Sequence, residues 1–145
     1  MSVSKLFSKA QKLQITEAIK AAELNTSGEI RVHIEKKCKA DALDRAAYIF
    51  EKLGMHKTEL RNGVLFYLAL DDHKFAILGD VGINSKVPEN FWDEVKELAL
   101  SYFREGDYSE GLEKSILKAG EQLKTHFPYQ KDDVNELDDE ISFGD

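Results

Sequence analysis

The chain has 145 residues, 42% of them apolar and 32% charged, with two prolines and a single cysteine, Cys38. A chain of this size folds as one domain and buries roughly two-thirds of the surface its unfolded form exposes, so a disordered, fibrous or disulfide-stapled protein is excluded. Residues 129–145 hold seven acidic groups against Lys131, so most of the formal charge of −7 sits there, and the nearly neutral body has no electrostatic footprint for nucleic acid or anionic lipid.

No apolar run approaches the ~20 residues of a membrane span, and the first residues contain neither the apolar stretch nor the cleavage site of a secretory signal. The expected location is the cytoplasm. In residues 8–23, Ile15, Ala18, Ile19 and Ala22 recur at three- and four-residue spacing, the mark of an amphipathic helix. Turn formers Asn25-Thr-Ser-Gly28 end it. Ile30, Val32 and Ile34 then alternate with Arg31, His33 and Glu35, which predicts a half-buried strand over 29–36.

A second helix is predicted over 41–53, packing by Leu43, Ala46, Ala47, Phe50 and Leu53, with Gly54 as its stop. Val64 to Leu70 is an unbroken apolar run of strand length, expected at the centre of a sheet with both faces covered. Strand, helix, strand make a parallel unit with a right-handed crossover. The turn Asp71-Asp-His73 leads directly into Phe75-Ala-Ile-Leu78, so a third strand should return antiparallel.

Pro88 is read as the start of a third helix carrying Trp92, Val95, Leu98, Ala99 and Tyr102, which Gly106 stops. Asp107 and Glu110 have the spacing of a capping box. The fourth helix behind them should bury Leu112, Ile116, Ala119, Leu123 and Phe127 before Pro128 closes it. These elements make an α/β domain, a small mixed sheet with helices on both faces, over residues 1–128. Residues 129–145 are expected to be an acidic, flexible C-terminal tail.

Three segments carry a resemblance: Thr26-Ser-Gly-Glu-Ile-Arg-Val-His-Ile34, the stretch from Asn62 to Gly79, and Tyr102-Phe-Arg-Glu-Gly-Asp-Tyr-Ser-Glu-Gly-Leu112. In order and spacing they are similar to the TPM-domain family, named for thylakoid-lumen, photosystem and acetylcholine-receptor-modulator proteins. The resemblance spans about residues 10–125. It implies a Rossmann-like α/β/α sandwich, calcium binding as in some members and, for one plant lumenal member, acid phosphatase activity.

Read for chemistry, the sequence lacks the Gly-x-Ser-x-Gly elbow of many serine hydrolases and the glycine-rich loops that cradle nucleotides. His33, His56, His73 and His126 have no metal-ligand spacing, and Cys38 stands alone. Carboxylates are the better candidates, because calcium and magnesium take oxygen ligands from several loops. The predicted topology brings Glu29 and Asp80 to one edge of the sheet, with Gly28 and Gly79 allowing carbonyls close, and the family motif adds Asp107. Glu29, Asp80 and Asp107 are therefore the expected calcium (alternatively magnesium) ligands, with Asp71, Asp72 and Asp107 as the alternative set. Other readings stand beside these: a helix cap for Asp107, a salt bridge from Glu29 to Arg31 or Arg61, a turn for Asp80.

Two functions follow. One is a divalent-metal-binding module with a regulatory or interaction role; the other is a metal-dependent phosphatase using Arg61 as its cation. The expected partner is the metal ion, a protein partner is left open, and the chain is expected to be a monomer.

Overall fold

A computed structural model of the chain describes residues 2–129 and 139–144. Its core is a four-stranded sheet of β1 (Glu29–Glu35), β2 (Gly63–Ala69), β3 (Lys74–Gly79) and β4 (Ser142–Gly144), in the order β3-β2-β1-β4. As predicted, β1 and β2 are parallel and β2 and β3 form an antiparallel hairpin. Every residue of β2 is buried, because layers cover both of its faces.

On one face, Ile30, Val32, Ile34, Val64, Phe66, Leu68, Phe75 and Ile77 pack against α1 (Lys9–Glu23), α4 (Phe91–Phe103) and α5 (Tyr108–His126). On the other, Leu65, Tyr67 and Ala76 pack against α2 (Ala42–Lys52) and Met55. Helices therefore lie on both faces. Ile15, Ala18, Ile19 and Ala22 of α1 are buried as their spacing requires. A Cβ on Gly120 of α5 would stand 2.7 Å from Ala22 Cβ, so these two helices touch almost backbone to backbone.

The periodicity is right for only part of one helix face. In α2 the buried residues are Ala46, Ile49 and Phe50, so Ala46 and Phe50 pack as their spacing predicts, whereas Leu43 and Ala47 are exposed and Ile49 takes a place in the buried stripe. Pro88 lies ahead of α4, which begins at Phe91, and Asp80 caps a one-turn helix, α3 (Val81–Asn84), where a simple turn was the alternative reading.

The expected capping box at Asp107 is not formed. Its side chain makes no cap hydrogen bond, and Glu110 instead accepts from Gln14 Nε2 of α1 at 2.7 Å. Asp41, by contrast, accepts from the Leu43 and Asp44 N–H groups at the head of α2. Asp41→Ala should therefore cost about 1 kcal/mol and Asp107→Ala close to nothing. Urea unfolding of the two variants side by side checks this, and equal losses would contradict it.

Of the acidic segment 129–145, residues 130–138 and 145 lie outside the described residues. Residues 142–144 return to the sheet as β4, parallel to β1, with His33 opposite Ser142 and Glu35 opposite Gly144. Phe143 and Ile141 pack on the main core, and Phe143 meets Phe7 with ring centroids 6.4 Å apart. Charge composition hid this docking, because a few apolar residues among many acids are enough to seat a three-residue strand.

Candidate functional site

Two places on the molecule gather chemistry, one at each edge of the parallel pair. At the first, β1 and β2 begin and β3 ends. Glu29 N–H donates to Asn62 O and Asp80 N–H donates to Gly63 O, so Glu29 and Asp80 both adjoin the start of β2 as the topology requires. Both are buried. Asp80 is tied by two hydrogen bonds from Arg61, Nε to Oδ2 at 2.6 Å and Nη2 to Oδ1 at 2.8 Å, and accepts a third from Val81 N–H. Arg61, one of the two arginines read as alternative partners for Glu29, is paired with Asp80.

Asp107 stands elsewhere. The next residue, Tyr108, lines a small cleft with His73 and Phe75 at the hairpin. From there the 19 residues of α5 run about 28 Å to Leu123 and Phe127, whose carbonyls accept from the Thr26 hydroxyl just ahead of Glu29. A helix of that length cannot bring its first residue to the edge that its last turn occupies. Glu29 and Asp80 share an edge, and Asp107 does not join them.

The alternative set is not assembled either. Asp72 accepts from Cys38 N–H at 2.7 Å, which occupies it with the loop after β1. Among the described residues no three His, Cys, Asp or Glu side chains gather as a metal-ligand set. Gly28 has a packing role in place of the expected carbonyl approach: a Cβ there would meet Leu123 Cδ2 at 2.7 Å.

What the first edge does contain is buried oxygen without a protein partner among the described residues: Ser27 Oγ, Thr58 Oγ1 and Asn62 Oδ1. They belong to the segments that meet there, and Asn62 Nδ2 donates to Ser27 O, which joins two of them. A buried acceptor left unmatched costs about 1–3 kcal/mol, so an ion or water satisfying these atoms is favoured.

The second place lies at the opposite edge, beside the carboxyl end of β1. His33 and Glu35 were expected on a half-exposed face, yet both are buried, because α2 crosses over them and β4 closes the side. Glu35 receives Arg45 Nε and Nη2, each at 2.9 Å, the Tyr67 hydroxyl, and His33 Nε2 at 3.3 Å. Burial alone would raise its carboxyl, but these donors outweigh burial and bring it down to about 2. Burial pushes the His33 imidazole below its usual value, against the pull of Glu35. Its other nitrogen, Nδ1, is 2.8 Å from Ser142 Oγ, and its ring stacks on Tyr67. A cleft of about 480 Å³ opens on this network, with Lys52, Leu53 and Phe143 among its walls.

The whole body, from the first helix through most of α5, matches the family model of the TPM domain over residues 2–122. The chain belongs to the TPM-domain family. The solved structure of the BA42 protein from the psychrophilic bacterium Bizionia argentinensis shares 44% identity, covers 98% of each chain and superposes with a TM-score of 0.90. Two more distant structures share the fold. An N-terminal domain from P. gingivalis is 21% identical, with a TM-score of 0.72 over 88% of this chain and 85% of its own. One from Corynebacterium glutamicum is 13% identical, with a TM-score of 0.69 over 88% and 81%. No curated protein matches the chain. In this TPM domain no described helix is long and apolar enough to cross a membrane.

Proposed function

We propose that this TPM domain is a divalent-cation-binding module with a regulatory or interaction role, and that the ion sits where β1 and β2 begin. The observation that supports the reading is the set of buried, unmatched oxygens on Ser27, Thr58 and Asn62, in the segments that lead into β1 and β2, together with the buried Glu29 whose N–H donates to Asn62 O. One carboxylate with several neutral oxygens is a hard donor set, which suits calcium better than magnesium, since magnesium demands near-octahedral geometry and loses water reluctantly. The set fits a cation in kind, with Glu29 and Asn62 as the residues that would hold it. Asp80 would act through its hold on Arg61, and Asp107 has no part.

The metal-dependent phosphatase is the lesser reading, because Arg61, its cation, already holds Asp80 through two hydrogen bonds. Calcium should raise the melting temperature of the wild type, by mass action worth about 2.7 kcal/mol when the free ion stands at 100 times its dissociation constant. Glu29→Gln should abolish the gain and Asp107→Asn should leave it intact. A wild type unmoved by calcium would end the proposal; a gain lost only in Asp107→Asn would move the site to the hairpin. Hydrolysis of a generic phosphomonoester that needs calcium and Glu29 would promote the enzyme reading.

A further inference from the structure

The second edge carries an arrangement that the metal reading does not use. We infer that Ser142, His33 and Glu35 form a nucleophile, base and orienting acid, and that the cleft on which they open accepts short acyl esters. The register produces this. His33 and Ser142 are directly paired across β1 and β4, and Glu35 is two residues beyond His33, so all three side chains rise from the same face. The distances are 2.8 Å from Ser142 Oγ to His33 Nδ1 and 3.3 Å from His33 Nε2 to Glu35 Oε1.

The direction of the hydrogen bonds follows from the chemistry. An ionised carboxylate only accepts, so Nε2 carries the proton and donates to Glu35. In a neutral imidazole Nδ1 is then the acceptor, and the Ser142 hydroxyl must donate to it. Arg45 and Tyr67 fix the carboxylate from the far side, which makes Glu35 a positioning residue that holds the ring in this tautomer. Gly144 leaves the room: a Cβ there would stand 2.8 Å from Glu35 Oε1 and 3.0 Å from His33 Nε2.

The reaction balances within these groups. Ser142 Oγ bonds to the ester carbonyl carbon as its proton passes to His33 Nδ1, and the alkoxide leaves with that proton as an alcohol. Water then attacks the acyl-serine, gives a proton to Nδ1, and the acid departs as Ser142 recovers its hydrogen. Among the described residues β4 is an edge strand, where alternate backbone amides face away from β1 and can donate to a developing oxyanion. Leu53 and Phe143 give the cleft an apolar wall, and Lys52 a cation for an acidic substituent.

Full-length protein treated with a fluorophosphonate tests this. The Ser142 oxygen should displace fluoride, adding the phosphonyl mass to the peptide that contains Ser142, with none in Ser142→Ala. His33→Gln should label about a hundredfold more slowly, and para-nitrophenyl acetate should be cleaved with the same dependence. In the wild type, labelling should weaken as the pH falls below the ordinary histidine value, since a protonated ring cannot take the serine proton. The charged and titratable groups around that ring are Arg31 and Glu35 of β1, Arg45 and Lys52 of α2, and Tyr67 of β2. An unlabelled Ser142 in the wild type, or a labelling rate indifferent to both pH and His33→Gln, would reduce the bond to a clasp for β4.

Discussion

Arg45→Ala should destabilise the domain by about 3 kcal/mol, lowering its melting temperature by roughly 6–12 °C. The reason is the partner left behind. Glu35 keeps its buried position under α2, and removing the guanidinium takes away two of its four donors. Loss of one member of a fully buried ion pair costs ~3–5 kcal/mol, and the lower figure applies because the Arg45 side chain is 36% exposed. A double variant, Arg45→Ala with Glu35→Gln, should recover part of the loss, since a neutral amide tolerates burial better than an unpaired charge. Thermal unfolding of the set decides it: additive losses would mean that the two side chains act separately.

Glu23→Gln should do the reverse and stabilise the protein at neutral and alkaline pH, by about 2 kcal/mol near pH 8. Glu23 accepts the Ile30 N–H at 2.8 Å, and burial, then its hydrogen bond with the Asp139 carboxyl, push its pKa up to about 9. The ordinary value is 4.5. Between the two the native state binds a proton that the unfolded chain does not, so stability present below 4.5 drains away as the pH climbs to about 9. An amide keeps the acceptor for Ile30 and can donate to Asp139 without titrating. In metal-free buffer, the melting curves of variant and wild type should converge near pH 4.5 and separate as the pH rises. Curves that stay parallel would show that Glu23 is ionised throughout.

The parallel pair, the hairpin and most buried helix residues were legible because each rests on local signals. Val64 to Ala69 reads as a central strand from its unbroken apolar run, and Ile15, Ala18, Ile19 and Ala22 mark their face of α1 by spacing alone. The edge shared by Glu29 and Asp80 followed from topology, since parallel strands begin together. Asp107 was misplaced because the sequence gives no angle for α5, and it is the course of that helix that carries its first residue to the hairpin.

The network at the other edge was not legible. His33 and Glu35 alternate with apolar neighbours just as solvent-facing residues do, and only the crossing of α2 and the return of β4 bury them. Ser142 is 109 residues from His33, within a stretch whose composition is that of a solvated tail. The only local hint was Ile141-Ser-Phe143, an apolar-polar-apolar step at strand period, too short to separate from chance.

The distance in sequence between β1 and β4 also bears on the order in which the sheet assembles. Pairing β1 with β2 closes a short loop through α2, whereas pairing β1 with β4 requires almost the whole chain to be gathered first, at a greater cost in loop entropy. The last strand should therefore join after the rest has formed, and in the native protein it should be the first to leave. Amides of β2 would exchange with solvent only when the molecule unfolds as a whole, while those holding β4 would exchange through a local opening that leaves the other three strands in place. The groups on His33 and Glu35 would then meet solvent on the timescale of that opening, so this edge of the domain has two states, one closed and one open to solvent, set by the coming and going of three residues.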